Sequence, residues 1–437
     1  MTETPNSQDI STKLERIAKL AREIRGGQLR TLAHHIDVNW LREAYRRTRK
    51  DGARGVDGQS AEQYAEQLEG NLQRLLGRAK SGSYRAPPVR RVHIPKGKGE
   101  TRPIGIPTFE DKVLQRAVAM VISEVYEQEF HDFSYGFRPG RSAHQALQAV
   151  RDTAWRMKGG WLVEVDIKKF FDTVDHCHMR DILRQRIGDG VLLRLVGKWL
   201  NAGVLQGLAL SYPDEGTPQG GVISPLLANI YLHTVLDEWF VKEVRPALAR
   251  NAVMVRYADD LVVLFESKQD AERFLAVLPK RFGKYGLTLH PDKTRMVPFQ
   301  RPDRVDKDDD GSETFDLLGF THYWAVSRKG NWVVKQRTAK DRFTRALHRL
   351  REWCRWHQHD SLNAQHLTLR KKLMGHYAYY GITSNFDRIA GFFYMAKRIW
   401  RTALARRSQQ SMPWRKMQTL LKQFPLPAPR IVHRYGT

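Results

Sequence analysis

The chain has 437 residues, 41% of them hydrophobic, which is enough for two or three domains with apolar cores. Its 73 Lys and Arg against 47 Asp and Glu leave a formal net charge of +26, a balance that points to a polyanionic partner, nucleic acid before an anionic membrane surface. Two cysteines, Cys177 and Cys354, exclude a disulfide framework and a Cys-pair zinc module.

No segment approaches the roughly 20 apolar residues of a membrane span. The stretch from Met1 to Ser11 is polar rather than signal-like. The expected location is therefore the cytoplasm, in association with nucleic acid, with no membrane partner.

In chain order, Leu14, Ile17, Ala18, Leu20, Ala21 and Ile24 have the spacing of an amphipathic helix that Gly26-Gly27 stops. A second helix is expected over roughly 38–49 and a third over 61–80, with the glycine-punctuated loop 51–58 between them. Residues 89–107 read as two strands joined by a Gly/Lys turn, with Lys96 before the turn and Arg102 after it. Such a basic hairpin folds over a triphosphate or simply stands in solvent.

Helical periodicity returns over 109–129. The stretch Phe133-Ser134-Tyr135-Gly136-Phe137-Arg138-Pro139-Gly140-Arg141-Ser142 then alternates aromatic rings, glycines and guanidinium groups, which suits a template strand. A strand from Trp161 ends at Asp166. His176 and His178 flank Cys177, but nothing supplies a second pair of metal ligands. The Gly/Pro-rich segment around Thr217-Pro218-Gln219-Gly220-Gly221 leads into an apolar helix and lacks the lysine spacing of a Walker loop.

Val253 to Phe265 holds the most informative pattern. Two apolar, β-branched runs flank Tyr257-Ala258-Asp259-Asp260, a hairpin with paired carboxylates at its tip. The pair is either an ordinary turn between core strands or a metal site, because carboxylates so placed repel one another unless a cation compensates them. Asp166 would be a third carboxylate on the same sheet edge, the donor set that two-metal phosphoryl transfer needs. Asp308-Asp309-Asp310 lacks apolar framing and reads as a solvated loop. Beyond residue 340 the chain is helical in pattern and strongly basic, with Trp and Tyr interleaved among Arg and Lys. Pro425 to Arg430 is too proline-rich for a helix and should run extended.

Taken in order, Ile94 to Pro107, Ser134 to Ser142, Val165 to Asp172, Gly216 to Leu232, Tyr257 to Asp260, Leu287 to Thr294 and Leu317 to Phe320 resemble the sequence blocks of group II intron-encoded reverse transcriptases. The Gly55-Val56-Asp57-Gly58 loop resembles the family's N-terminal extension of the fingers. The resemblance runs from about residue 35 to the C-terminus and implies an α+β right-hand polymerase with fingers, a palm built on an antiparallel sheet, and a helical thumb or maturase domain. The implied divisions are an N-terminal helical extension at 1–35, fingers at 36–160, palm at 161–325, and thumb with an extended tail at 326–437.

It further implies an RNA-directed DNA polymerase with two Mg²⁺ ions held at Asp166, Ile167, Asp259 and Asp260. Lys96, Arg102, Phe171, Gln219 and Lys293 would meet the dNTP. Phe171 would exclude the 2′-hydroxyl of a ribonucleotide, and Lys293 would neutralise or protonate the leaving group. Arg138, Leu317, Gly319 and Phe320 would meet template and primer, and Arg370, Lys371, Lys372, Arg398 and Arg401 would bind RNA. The implied partners are group II intron RNA, an RNA template with a DNA primer, and target DNA reached through the ribonucleoprotein. The chain has no room for the DNA-binding and HNH endonuclease segments that some members append, so target cleavage is not expected of it. The competing expectations are a related reverse transcriptase domesticated for phage defence, spacer acquisition or DNA repair, and a splicing chaperone that no longer polymerises.

Overall fold

A computed structural model describes residues 5–97, 100–206, 209–211, 220–302, 313–408 and 410–435. The chain divides into two compact units, one comprising Met1–Ser142, Val165–Val263 and Ser267–Arg295, the other Ala143–Glu164, Leu264–Glu266 and Met296–Thr437.

The first unit is organised around the helix Phe109–Tyr126, whose Val113, Leu114, Ala117, Val118, Val121 and Ile122 are fully buried. Thr108 caps its N-terminus by accepting from the Asp111 amide. The helices Pro5–Glu23 and Val38–Arg47 pack on it, and buried Trp40 donates its indole N–H to the Ala117 carbonyl at 2.9 Å. The single helix expected over 61–80 is two, Ala61–Ala65 and Leu68–Ser81, because Gln67 leaves helical geometry. Asn71 takes up the Tyr64 carbonyl exposed at that break, and a Ser60/Gln63 capping box starts the first piece.

The basic hairpin forms as read, Val89–Gly97 against Glu100–Ile106, with Ile94 opposite Arg102. Val204–Gln206 pairs with it in parallel, and Ala209–Ser211 completes a four-stranded sheet. The acidic hairpin also forms, Ala252–Tyr257 returning as Asp260–Phe265, with Met254, Val255 and Leu261 to Phe265 buried.

In the second unit the strand Gly159–Val165 lies beside Arg295–Gln300. A three-stranded meander follows, Phe315–Leu317, Phe320–Val326 and Trp332–Thr338. The helices Lys340–Trp356, Leu362–Tyr380, Phe386–Ser408 and Trp414–Gln423 then enclose a core of Leu369, Leu373, Ile389, Ala396, Trp400 and Met417. The proline-rich tail is extended, as its composition predicts. It returns along Leu362–Tyr380, where Pro427 accepts from the Tyr377 hydroxyl at 3.2 Å and Val432 N–H bonds Gly381 O at 2.7 Å.

Within the described residues no helix is long and apolar enough to cross a membrane. Asp308-Asp309-Asp310 lies outside the described residues.

Candidate active site

Asp166 follows directly on the strand Gly159–Val165. Its backbone is held by an isolated antiparallel bridge between Ile167 and Leu289, in which His290 N–H bonds Asp166 O and Lys168 N–H bonds Thr288 O, both at 2.8 Å. The Ile167 side chain is buried. The two bonds of the bridge come from its neighbours, so only the Ile167 carbonyl could serve a metal. The Asp166 carboxylate is half-buried and accepts from Lys293 Nζ at 3.0 Å.

Asp259 stands at the turn of the acidic hairpin, partly buried, and Asp260 opens the returning strand, exposed. Burial pushes the Asp259 carboxyl above the usual carboxylate range; hydrogen bonding to its own backbone amide, together with the charges of Arg102 and Arg256, opposes the rise, and the negative charge of Asp166 adds to it. The fold has thus brought Asp166 and Arg102, from two separate stretches of sequence, within electrostatic reach of Asp259.

The turn itself is strained. Ala258 adopts φ +57°, a left-handed conformation that costs a non-glycine residue about 1–3 kcal/mol unless its surroundings enforce it. Two features do so. Gly136 packs so closely that a Cβ there would fall on the backbone of Tyr257 and Ala258, which only glycine permits. From within, the fully buried Arg256 donates to Ala258 O at 3.1 Å and to Asn229 Oδ1 at 3.0 Å. Asn229 in turn donates to Gly136 O at 2.6 Å.

The remaining donors of Arg256 go to both oxygens of Asp237, with Nε to Oδ1 at 2.8 Å. Burial alone would raise the Asp237 carboxyl, but Arg256 and His233 beside it hold it below the usual range. The strand is also clamped from the outside: Arg256 N–H bonds Phe133 O at 2.9 Å, and Tyr135 N–H bonds Arg256 O at 2.8 Å. None of Arg256, Asp237, Asn229 and Gly136 stood out from the sequence as a site residue. One signal was available, a single arginine inside an otherwise apolar strand next to the acidic tip.

Arg138 differs from its expected role. Its guanidinium is buried and wholly engaged, on the Glu127 carboxylate at 3.0 and 3.1 Å and on the His131 and Ser134 carbonyls at 2.7 Å. It fastens the loop internally rather than standing open to a strand, because its neighbours leave four inward-facing acceptors that only a guanidinium satisfies at once. Phe171 is buried against Phe170 with ring centroids 5.4 Å apart. Lys96 occupies its expected strand position, whereas Gln219 lies outside the described residues.

In the second unit, Leu318 (φ +50°) and Gly319 (φ +80°) form the two-residue turn between paired Leu317 and Phe320. Leu317 and Phe320 are core residues, Phe320 packing on Tyr379 and Tyr380. Only the turn backbone is left to meet a ligand, and Leu318 O already accepts from the Tyr379 hydroxyl at 2.7 Å. Arg370, Lys371, Lys372 and Arg398 are exposed on the helices. Lys372 and Arg401 lie over the Trp353 and Trp414 rings, 5.2 and 4.7 Å from the centroids.

The family model described as "Reverse transcriptase (RNA-dependent DNA polymerase)" matches residues 94–322, which contain every carboxylate named above. The chain belongs to the reverse transcriptase family, the RNA-directed DNA polymerases.

It is 36% identical over 293 residues to Protein YkfC of Escherichia coli (strain K12), a match covering 59% of this chain and 76% of that protein. It is 40% identical over 192 residues to the group II intron-encoded protein LtrA of Lactococcus lactis subsp. cremoris, covering 43% of this chain and 31% of LtrA. The nuclear intron maturase 2 of Arabidopsis thaliana, a mitochondrial protein, is 25% identical over 232 residues, 44% of this chain and 30% of that one. The resemblance to group II intron-encoded reverse transcriptases drawn from the sequence blocks holds.

Proposed function

We propose that this chain copies RNA into DNA by two-metal phosphoryl transfer and binds a group II intron RNA to assist its splicing and mobility. The observation that supports the reading is that Asp259, at the tip of the acidic hairpin, lies within the electrostatic reach of both Asp166 and Arg102. In this reading residues 36–160 act as fingers, 161–325 as palm and 326–437 as thumb.

The donor set fits a pair of hard divalent ions. The carboxylates of Asp166 and Asp259 repel each other, Lys293 supplies one compensating charge, and oxygen ligands are what Mg²⁺ prefers. When bound, two Mg²⁺ would supply activation of the primer 3′-hydroxyl and charge neutralisation of the departing pyrophosphate. Asp166 and Asp259 would hold them, with Asp260 and the Ile167 carbonyl in support. Arg102 and Lys96 grip the triphosphate. Lys293 leaves Asp166 to protonate the leaving group, and Phe171 closes the space a 2′-hydroxyl would need. The strained Ala258 turn presets Asp259, so its position costs no reorganisation at the moment of reaction.

On the second unit, a cleft of about 210 Å³ lined by Arg351, Arg355, Arg398 and Arg406, with the exposed cations of Leu362–Tyr380, offers phosphate contacts to intron RNA.

The test is primer extension on an RNA template with Mg²⁺. Wild-type protein is expected to make cDNA, and Asp259→Ala is expected to lose at least about 10³-fold in rate while retaining its RNA affinity. A variant that polymerises normally overturns the metal assignment. RNA affinity that does not fall with rising salt overturns the phosphate-contact assignment.

A further inference from the structure

Behind the acidic hairpin, on the same unit, three side chains that play no part in the proposed reaction turn toward one another. His131, His233 and Glu238 each offer one ligand atom, and these three atoms lie within 4.8 Å of one another. We infer that they form a second metal site, selective for an imidazole-seeking divalent ion of the Zn²⁺ class.

The distances suit such an ion. Glu238 Oε1 lies 2.8 Å from His131 Nε2 and 3.9 Å from His233 Nε2. A tetrahedral ion with bonds of about 2.0–2.1 Å needs ligand atoms roughly 3.3 Å apart, and these two distances each lie about half an ångström from that, with the two imidazole nitrogens within 4.8 Å of each other. A plain hydrogen bond accounts for His131 and Glu238. It leaves out His233, only 6% exposed, whose Nε2 lies 3.9 Å from the same oxygen while its Nδ1 faces Asp237.

The backbone shows how the ligands are brought together. Residues His233–Asp237 form a π-helical turn closed by the Glu238 N–H on the His233 carbonyl. In an α-helix, residues five apart diverge by roughly 140°; the wider turn swings His233 and Glu238 onto one side. Such turns are rare and concentrate at functional sites. The surroundings orient the ligands as metal sites require. The His131 ring stacks on Phe133 at 5.0 Å, and the His233 ring meets Phe130 edge-on at 5.4 Å. Asp237 Oδ2 stands 3.8 Å from His233 Nδ1, on the side away from the site. Lys242 pairs with Glu238 Oε2, which leaves Oε1 for the ion.

Two histidines and one carboxylate leave a fourth position for water, and soft-to-borderline nitrogen donors favour Zn²⁺ over Mg²⁺. The ion would brace the polymerase hairpin. His131 is two residues before Phe133, which bonds the Arg256 strand, and Asp237, between the two helical ligands, holds Arg256 itself.

The experiment uses the untagged full chain, stripped by chelator and titrated with Co²⁺ in excess Mg²⁺, so that the carboxylates at Asp166 and Asp259 are already occupied. One Co²⁺ per chain is expected, with the visible bands of a four-coordinate ion, displaced by Zn²⁺. His131→Ala and Glu238→Gln, both at partly exposed positions, are each expected to weaken Co²⁺ binding by at least about tenfold; circular dichroism checks that they fold. The proposal is overturned if no saturable site remains in Mg²⁺, if both folded variants bind Co²⁺ as wild type does, or if a thiolate charge-transfer band traces the ion to Cys177. It is independent of the polymerase reading, since the readout is the bound ion and not synthesis.

Discussion

Lys293 Nζ donates to Asp166 Oδ2 at 3.0 Å while half of the lysine side chain remains exposed. A half-exposed cation therefore stands on a carboxylate whose other charged neighbour, Asp259, repels it. It balances that repulsion and competes with a divalent ion for the same oxygen.

Lys293→Gln should accordingly have two opposite effects. The Mg²⁺ concentration for half-maximal primer extension is expected to fall, because Asp166 is released. The maximal rate is expected to drop about 10²-fold, because the variant removes the proton donor proposed for the pyrophosphate. Metal titrations of primer extension check both, and an unchanged maximal rate would remove Lys293 from the chemistry.

Arg256 and Asp237 form a fully buried bidentate pair. Arg256→Met strands the Asp237 carboxylate and is expected to cost about 3–5 kcal/mol in chemical denaturation. Combining it with Asp237→Leu should restore most of that stability, since no buried charge is then left alone. Synthesis should remain impaired in the double variant, because Ala258 O and Asn229 still lack their donor. Full recovery of synthesis would show that the pair supports the fold without setting the turn.

Phe171 is buried and sits five residues after Asp166. Phe171→Val keeps an apolar, branched side chain while opening space, so it is expected to lower the preference for dNTP over NTP by about 10–100-fold in kcat/KM. Single-nucleotide incorporation with matched dNTP and NTP measures this. An unaltered ratio would assign sugar discrimination elsewhere.

Asp111 provides a pH signature. Burial raises its carboxyl to about 6, despite hydrogen bonds from Tyr84, Trp199 and Gln115, and Gln115 in turn holds the Val222 amide at 2.8 Å, beside the Gly220-Gly221 segment. A folded-state value above the ordinary 3.8 means that this group's contribution to stability is complete below about pH 4 and disappears as pH rises through about 6. The stability of Asp111→Asn relative to wild type should therefore shift in the variant's favour by up to roughly 3 kcal/mol between those limits. Urea melts of both proteins across the range read this difference, and a pH-independent difference would contradict it.

Much of this molecule could be read from residue order, because local pattern and chemistry coincide. The β-branched runs beside Tyr257 to Asp260 specify a hairpin whichever partners it finds. The 3.6-residue apolar spacing after Phe109 specifies a helix buried on most of its faces, and the proline-rich tail excludes one. The blocks, in family order, carried the reverse transcriptase assignment that the family match now shows. The break near Gln67 was not legible, because a single local departure from helical geometry leaves the apolar period intact.

Which charges meet is set by the packing of distant segments. The sequence by itself presents Arg138 and Arg256 as two basic residues near aromatic ones. The fold buries both, engages one on Glu127 and loop carbonyls, and places the other beneath the Ala258 turn on Asp237. It likewise joins Asp166 to Lys293, and His131 to His233 and Glu238 through a π-turn that no periodicity announces. The physical reason is range: hydrophobic spacing acts over a few neighbouring residues and is written in order along the chain, whereas the energy of a buried charge depends on whichever partner the fold sets within a few ångströms of it.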